Sequence, residues 1–140
     1  MAKLLTHDML DEMGIVLYED STAECGYRVF HTTRAGQQEI KPKIVSVYHR
    51  WSGKTKSYYN ISWSNYAKEK KAATYSLARV IYAWYRGEVP ANMDVDHKDD
   101  NPFNNKLDNL QLLTRAENLQ KRALNGINQW AYIKTNKEEE

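Results

Sequence analysis

The hydrophobic positions change their period several times along the chain, and each change marks an element. Thr6 to Met13 reads as a short helix closed by Gly14, and the apolar run Ile15, Val16, Leu17 and Tyr18 after it can begin a sheet. Tyr27 to Thr32, Ile44 to Trp51 and Ser57 to Trp63 are rich in β-branched and aromatic residues, with breaks at Arg34-Ala35-Gly36 and Ser52-Gly53-Lys54. That pattern predicts a small antiparallel sheet. In the third run Tyr59, Ile61 and Trp63 alternate with Tyr58, Asn60 and Ser62, as in a half-buried strand.

From Ala73 to Arg86 the period lengthens to that of a helix. Leu77, Val80, Ile81, Trp84 and Tyr85 form one stripe, and Gly87 ends it. Pro90 breaks the chain, Met93 to His97 reads as a short strand, and Asp99 to Lys106 is a polar, Asn-rich loop before a returning strand at Leu110 to Leu113. Thr114-Arg115-Ala116-Glu117 has the form of a capping box, so a helix starts at Thr114. It is expected to end near Asn125-Gly126, leaving a solvated tail. The fold class is α+β in a single domain. Its parts are an acidic segment over 1–27, a basic β-rich part over 28–71, a linking helix with a C-terminal hairpin-plus-helix unit over 72–125, and a tail over 126–140.

Composition narrows the function classes. A chain of 140 residues fits one domain, and a mean hydropathy of -0.78 with no long apolar run excludes a membrane-spanning helix. Met1 to Leu10 carries Lys3, His7 and Asp8 where a secretory signal would be apolar, so an intracellular, cytoplasmic home is expected. The single Cys25 excludes an intrachain disulfide and the four-cysteine zinc sites. A metal here must use oxygen or imidazole ligands.

The charge is unevenly spread. Residues 1–27 carry one base and six acids, residues 28–71 carry ten bases and two acids, and residues 72–123 balance at seven of each. The basic stretch, with Arg50, Lys54 and Lys56 near a turn and Lys68, Lys70 and Lys71 before the long helix, can hold a phosphate backbone. The other reading is a solvated sheet edge whose lysines deter edge pairing. Aromatic rings from Tyr48 to Tyr66 interleave with these bases, and at period two they fit a sheet core better than a base-stacking platform.

Candidate chemistry concentrates after Val95. Asp96 and His97 close one strand, Asn109 enters the next, and Asn118 lies in the first turn of the capped helix. A carboxylate and a carboxamide oxygen suit a hard divalent cation, and an imidazole can take a proton from water near neutral pH. Asp96 and His97 are adjacent, and side chains alternate along a strand, so both reach one site only where the strand ends or twists. Asn118, Lys121 and Arg122 share a helix face, so two cations flank Asn118, and Arg115 can join them. The helix N-terminus adds a partial positive charge at the same place. Asp99 and Asp100 read as turn residues, Asn104 and Asn105 as loop-closing, and His7, His31 and His49 as packing or surface groups.

The stretch Asp94 to Asn118, DVDHKDDNPFNNKLDNLQLLTRAEN, resembles the HNH endonuclease motif, in the branch found in phage-encoded and homing nucleases. The lead-in from Leu77 to Pro90 resembles that branch too, so the likeness spans about residues 75–122. It implies a ββα-metal unit with His97 as general base, Asp96 and Asn118 as metal ligands, and Asn109 bracing the hairpin loop and orienting His97. Asn118 stands where many HNH proteins have histidine, which points to magnesium or manganese and fits zinc less well. The implied activity is divalent-metal-dependent hydrolysis of DNA, leaving 5′-phosphate and 3′-hydroxyl ends. Double-stranded DNA is the expected partner, with a homodimer or a phage protein partner open. Two other readings stand beside it: a catalytically silent nucleic-acid-binding module, and an accessory nuclease subunit that needs a partner such as packaging machinery.

Overall fold

Thr6 opens the first helix by lending its side chain to the backbone. Its Oγ1 accepts from the Met9 amide at 3.1 Å, and helix α1 (His7–Glu12) follows, burying Leu10. Gly14 then turns the chain with φ +80°, and a Cβ there would lie 2.6 Å from the Thr32 carbonyl oxygen, so the position is closed to any larger residue. The computed structural model describes residues 4–50, 53–64 and 72–121. Trp51, Tyr66, Lys68, Lys70, Lys71, Arg122, the expected helix end at Asn125-Gly126 and the tail lie outside the described residues.

The strands are β1 (Leu5–Thr6), β2 (Ile15–Glu19), β3 (Tyr27–Thr33), β4 (Gly36–Ile40), β5 (Lys43–His49), β6 (Lys54–Ser64), β7 (Ala72–Ser76), β8 (Glu88–Val89), β9 (Met93–His97) and β10 (Leu110–Thr114). Helix α2 is Leu77–Arg86, and a third helix, α3, covers 115–121. In place of one N-terminal sheet there are two antiparallel ones, ordered β2-β3-β4 and β5-β6-β7. β4 escapes a pattern reading because Gln37, Gln38 and Glu39 are exposed and give it no apolar face. The expected alternation in β6 is present, with Tyr59, Ile61 and Trp63 buried.

The long helix starts later than its predicted Ala73. Residues 72–76 instead pair with β6, where Ala73 opposes Trp63 and the Ser62 and Thr74 hydroxyls meet at 2.9 Å. Ser76 is the N-cap, its hydroxyl accepting from the Arg79 amide. α2 is the post of the molecule. Its Leu77, Val80, Ile81 and Ala83 are fully enclosed, against a core that includes Leu10, Ile15, Val29, Ile61 and Leu110. A two-residue ladder clasps its exit: Leu5 pairs with Val89 and Thr6 with Glu88. The His7 amide donates to the Gly87 carbonyl at 2.8 Å, and His7 Nδ1 meets the Trp84 carbonyl at 2.9 Å, serving groups that a helix end leaves without partners.

Candidate active site

β9 and β10 form an antiparallel hairpin in which His97 opposes Leu110 and Asp96 opposes Gln111. Contacts from both strands fix it to the body. Arg79 of α2 donates through Nη1 to the Met93 carbonyl at 3.2 Å, and the buried Leu110 enters the common core. The loop between the strands is organised by side chains. Asp99 accepts from the Asn101 amide at 2.8 Å, from Asn104 Nδ2 at 2.9 Å and from Asn109 Nδ2 at 2.9 Å. Asn109 in turn donates to the Asn104 carbonyl at 2.8 Å and accepts from the Asp99 amide at 3.2 Å. Those bonds, that of Asn104 first, hold the Asp99 carboxyl at about 2, well below the ordinary carboxylate range.

His97 ends β9, and its ring turns to the loop. Its Nε2 lies 2.7 Å from Asn105 Oδ1, an oxygen that can only accept, so Nε2 is the donor of this bond and Nδ1 lies outside it. The ring's partner is therefore Asn105, whereas Asn109 acts on the loop that carries it. Asn105 is only 3% exposed, and its carbonyl accepts from the Tyr27 hydroxyl of β3 at 2.9 Å. Burial pushes that hydroxyl up to about 12, so it remains a donor. The Asn105 Nδ2 has no partner among the described residues. Leaving such a donor buried costs about 1–3 kcal/mol, a sacrifice that fits a side chain kept for its oxygen. Sequence reasoning assigned Asn105 only to loop closure. Nothing in the run Asn104-Asn105 separates the two; the distinction needs the loop's path.

Asp94 and Asp96 project from the other side of β9, as alternation requires, and α3 crosses over them. The capping box that starts α3 is complete: the Thr114 amide donates to Glu117 Oε1 at 2.8 Å and the Glu117 amide to Thr114 Oγ1 at 3.1 Å. Asn118 Nδ2 donates to Asp94 Oδ2 at 2.9 Å, and Arg115 Nε stands 3.8 Å from the same oxygen. One turn on, Lys121 Nζ reaches Asp96 Oδ2 at 2.6 Å, Asp100 Oδ1 at 2.9 Å and the His97 carbonyl at 3.1 Å. Gln111 Nε2 donates to Asp96 Oδ2 as well, at 2.8 Å. Burial works against the Lys121 charge, but the bonds to Asp96 and Asp100 outweigh it and hold its ammonium above the ordinary lysine range.

The structure thus brings His97, Asp96, Lys121 and Asp100 to one end of the hairpin, with Asn118 beside Asp94 one turn earlier on α3. Arg50, Lys54 and Lys56 stand exposed around the β5-β6 turn. Among the described residues, no group of three or more His, Cys, Asp and Glu side chains forms a metal cluster. The donor chemistry nonetheless fits a hard ion. Asp96 is a carboxylate already holding a cation, and Asn118, with its nitrogen given to Asp94, has its carbonyl oxygen left for a ligand. Two protein ligands completed by water and phosphate is the usual pattern for magnesium.

Among the described residues no helix is long and apolar enough to cross a membrane. Comparison with curated proteins and with solved structures gives no match. Residues 75–120, from the end of β7 to the last turn of α3, match the family model of HNH endonucleases. That segment contains the hairpin, the Asn-rich loop, His97 and the crossing helix in a β-β-α arrangement, so an HNH-family nuclease domain is present over this part of the chain.

Proposed function

We propose that the protein is a divalent-metal-dependent endonuclease acting inside the cell on double-stranded DNA, and that His97 is its general base. The observation that carries this reading is the fixed imidazole. With Nε2 engaged by Asn105, Nδ1 is the nitrogen left to act as a base, on a ring at the end of β9.

His97 Nδ1 takes a proton from a water, whose oxygen then forms a bond to the scissile phosphorus as the P–O3′ bond breaks and the departing 3′ oxygen takes up a proton from solvent. The products are a 5′-phosphate and a 3′-hydroxyl. Asp96 and Asn118 are the residues that hold Mg2+ or Mn2+; when bound, such an ion stabilises charge on the phosphate oxygens and on the departing 3′ oxygen. Asn109 braces the loop on which Asn105 sits. The N-terminus of α3 and Arg115 favour a phosphate nearby, and Arg50, Lys54 and Lys56 hold the duplex away from the cut, with Lys68, Lys70, Lys71 and Arg122 as further phosphate contacts.

The test is supercoiled-plasmid cleavage by wild type and His97→Ala with EDTA, magnesium, manganese and zinc in turn. Wild type should relax or linearise the plasmid with magnesium or manganese. His97→Ala should lose about 10²–10⁴ in rate while keeping fold and DNA affinity. Equal rates for the two proteins would overturn the role of His97. Salt-sensitive DNA binding without cleavage in any metal would favour the silent module or the partner-dependent subunit.

A further inference from the structure

Lys121 invites a different role from the phosphate contact its place on α3 suggests. An ammonium has three N–H donors, and here each has an acceptor: Asp96 Oδ2 at 2.6 Å, Asp100 Oδ1 at 2.9 Å and the His97 carbonyl at 3.1 Å. Its side chain is 23% exposed and that of Asp96 13%, so the pair is largely withdrawn from water. Asp96 is the carboxylate proposed above to hold the metal. A single positive charge therefore already stands against the oxygen that a divalent ion would need.

We infer that Lys121 is a tethered counter-cation: it closes Asp96 in the free protein, and a divalent ion enters by displacing it. The idea rests on the endonuclease reading of Asp96. The ammonium brings one positive charge to Asp96, and a divalent ion brings two. Simply removing the lysine instead leaves the largely enclosed Asp96 carboxylate without its cation, which is destabilising. Lys121 has a flexible four-carbon stem on the face of α3 that also carries Asn118. Once released, its ammonium is free to meet a phosphate bound at the same place. Metal entry and DNA binding then favour one another, and by linkage the coupling is reciprocal. The free protein should bind metal weakly and the DNA complex more tightly.

Manganese binding without DNA, followed by electron paramagnetic resonance, tests this for wild type, Lys121→Met, Asp100→Asn and Asp96→Asn. Lys121→Met should bind Mn2+ roughly 5- to 50-fold more tightly than wild type, in the range of typical coupling between sites. Its melting temperature should fall in EDTA and recover with Mn2+. Asp100→Asn loosens the lysine and should also tighten Mn2+ binding, by less; weaker binding there would make Asp100 a metal ligand and overturn the proposal. Asp96→Asn should abolish binding. Equal affinities of wild type and Lys121→Met, or no Mn2+ binding by Lys121→Met when Asp100→Asn is also unchanged, would overturn it as well. Metal-dependent plasmid cleavage by wild type alongside such a result would leave the endonuclease reading standing, so the two failures are distinguishable.

Discussion

The body formed by residues 4–89 and the hairpin-helix unit formed by residues 93–121 are built on different principles. The body buries apolar side chains: every fully enclosed aliphatic residue among those described belongs to it, from Leu5 to Val89. The unit contributes Leu110 to the buried core, with Val95, Leu107 and Leu112 packed partly against it. What shapes the unit is a set of directional bonds centred on Asp99, Asn104, Asn105 and Asn109. Burial stabilises strongly but leaves polar groups where packing happens to put them; hydrogen bonds contribute about 1 kcal/mol each yet fix angles. A site that must hold an imidazole and a carboxylate at set angles needs the second property, and it leans on the first through α2.

The largest effect should come from the shared post. Ile81→Ala, at a fully enclosed position of α2, should cost about 2–5 kcal/mol, and chemical denaturation should show both regions unfolding together. Separate transitions would mean that the unit holds itself up, against the comparison just drawn.

A smaller and more local loss is expected from Asn109→Ala, which deletes bonds to Asp99 and to the Asn104 carbonyl. About 1–3 kcal/mol should disappear. Hydrogen exchange should quicken across 98–109 while amides of β3 and β6 stay protected. Quickening in β3 would show the loop to be an integral part of the body.

Acid gives the mildest perturbation. Asp99 is held at about 2, below the ordinary carboxyl value of about 4, so its stabilisation is complete above the ordinary value and drains as pH falls from about 4 through about 2. Asp20 in the body is depressed to about 2 in the same way, through Thr22 and Arg28. Amide reporters near each aspartate, followed by NMR over that window, should change separately. Replacing Asp99 with Asn should silence only the loop's response.

Sequence reached the elements whose determinants are local. The short first helix is of this kind, as are the alternation of Tyr59, Ile61 and Trp63 and the reciprocal capping box of Thr114 and Glu117. It missed β4, which has no apolar face, and it assigned Ala73 to Ser76 to the helix, although Thr74 and Tyr75 favour a strand and pair with β6. In the candidate site, the roles expected of the residues came from the family resemblance, while the places of Asp96 and His97 at the end of β9 and of Asn118 in the first turn of α3 were legible in the pattern. The engagement of the imidazole by Asn105 was not, since it depends on how the loop folds under Tyr27. Nor was the partner of Lys121, because helix periodicity gives the face of α3 and leaves open which carboxylate of β9 lies beneath it.

The short clasp between β1 and β8 also has a meaning for the order of synthesis. Leu5 and Thr6 leave the ribosome early, yet their partners Glu88 and Val89 emerge only after both sheets and α2 have been made. Until then the N-terminal segment has no edge to join, and the end of α2 lacks the His7 contacts that satisfy it. Closure of the body is thus timed to the moment just before the hairpin-helix unit appears, so a nascent chain that stops short of Glu88 is an unclasped body without His97.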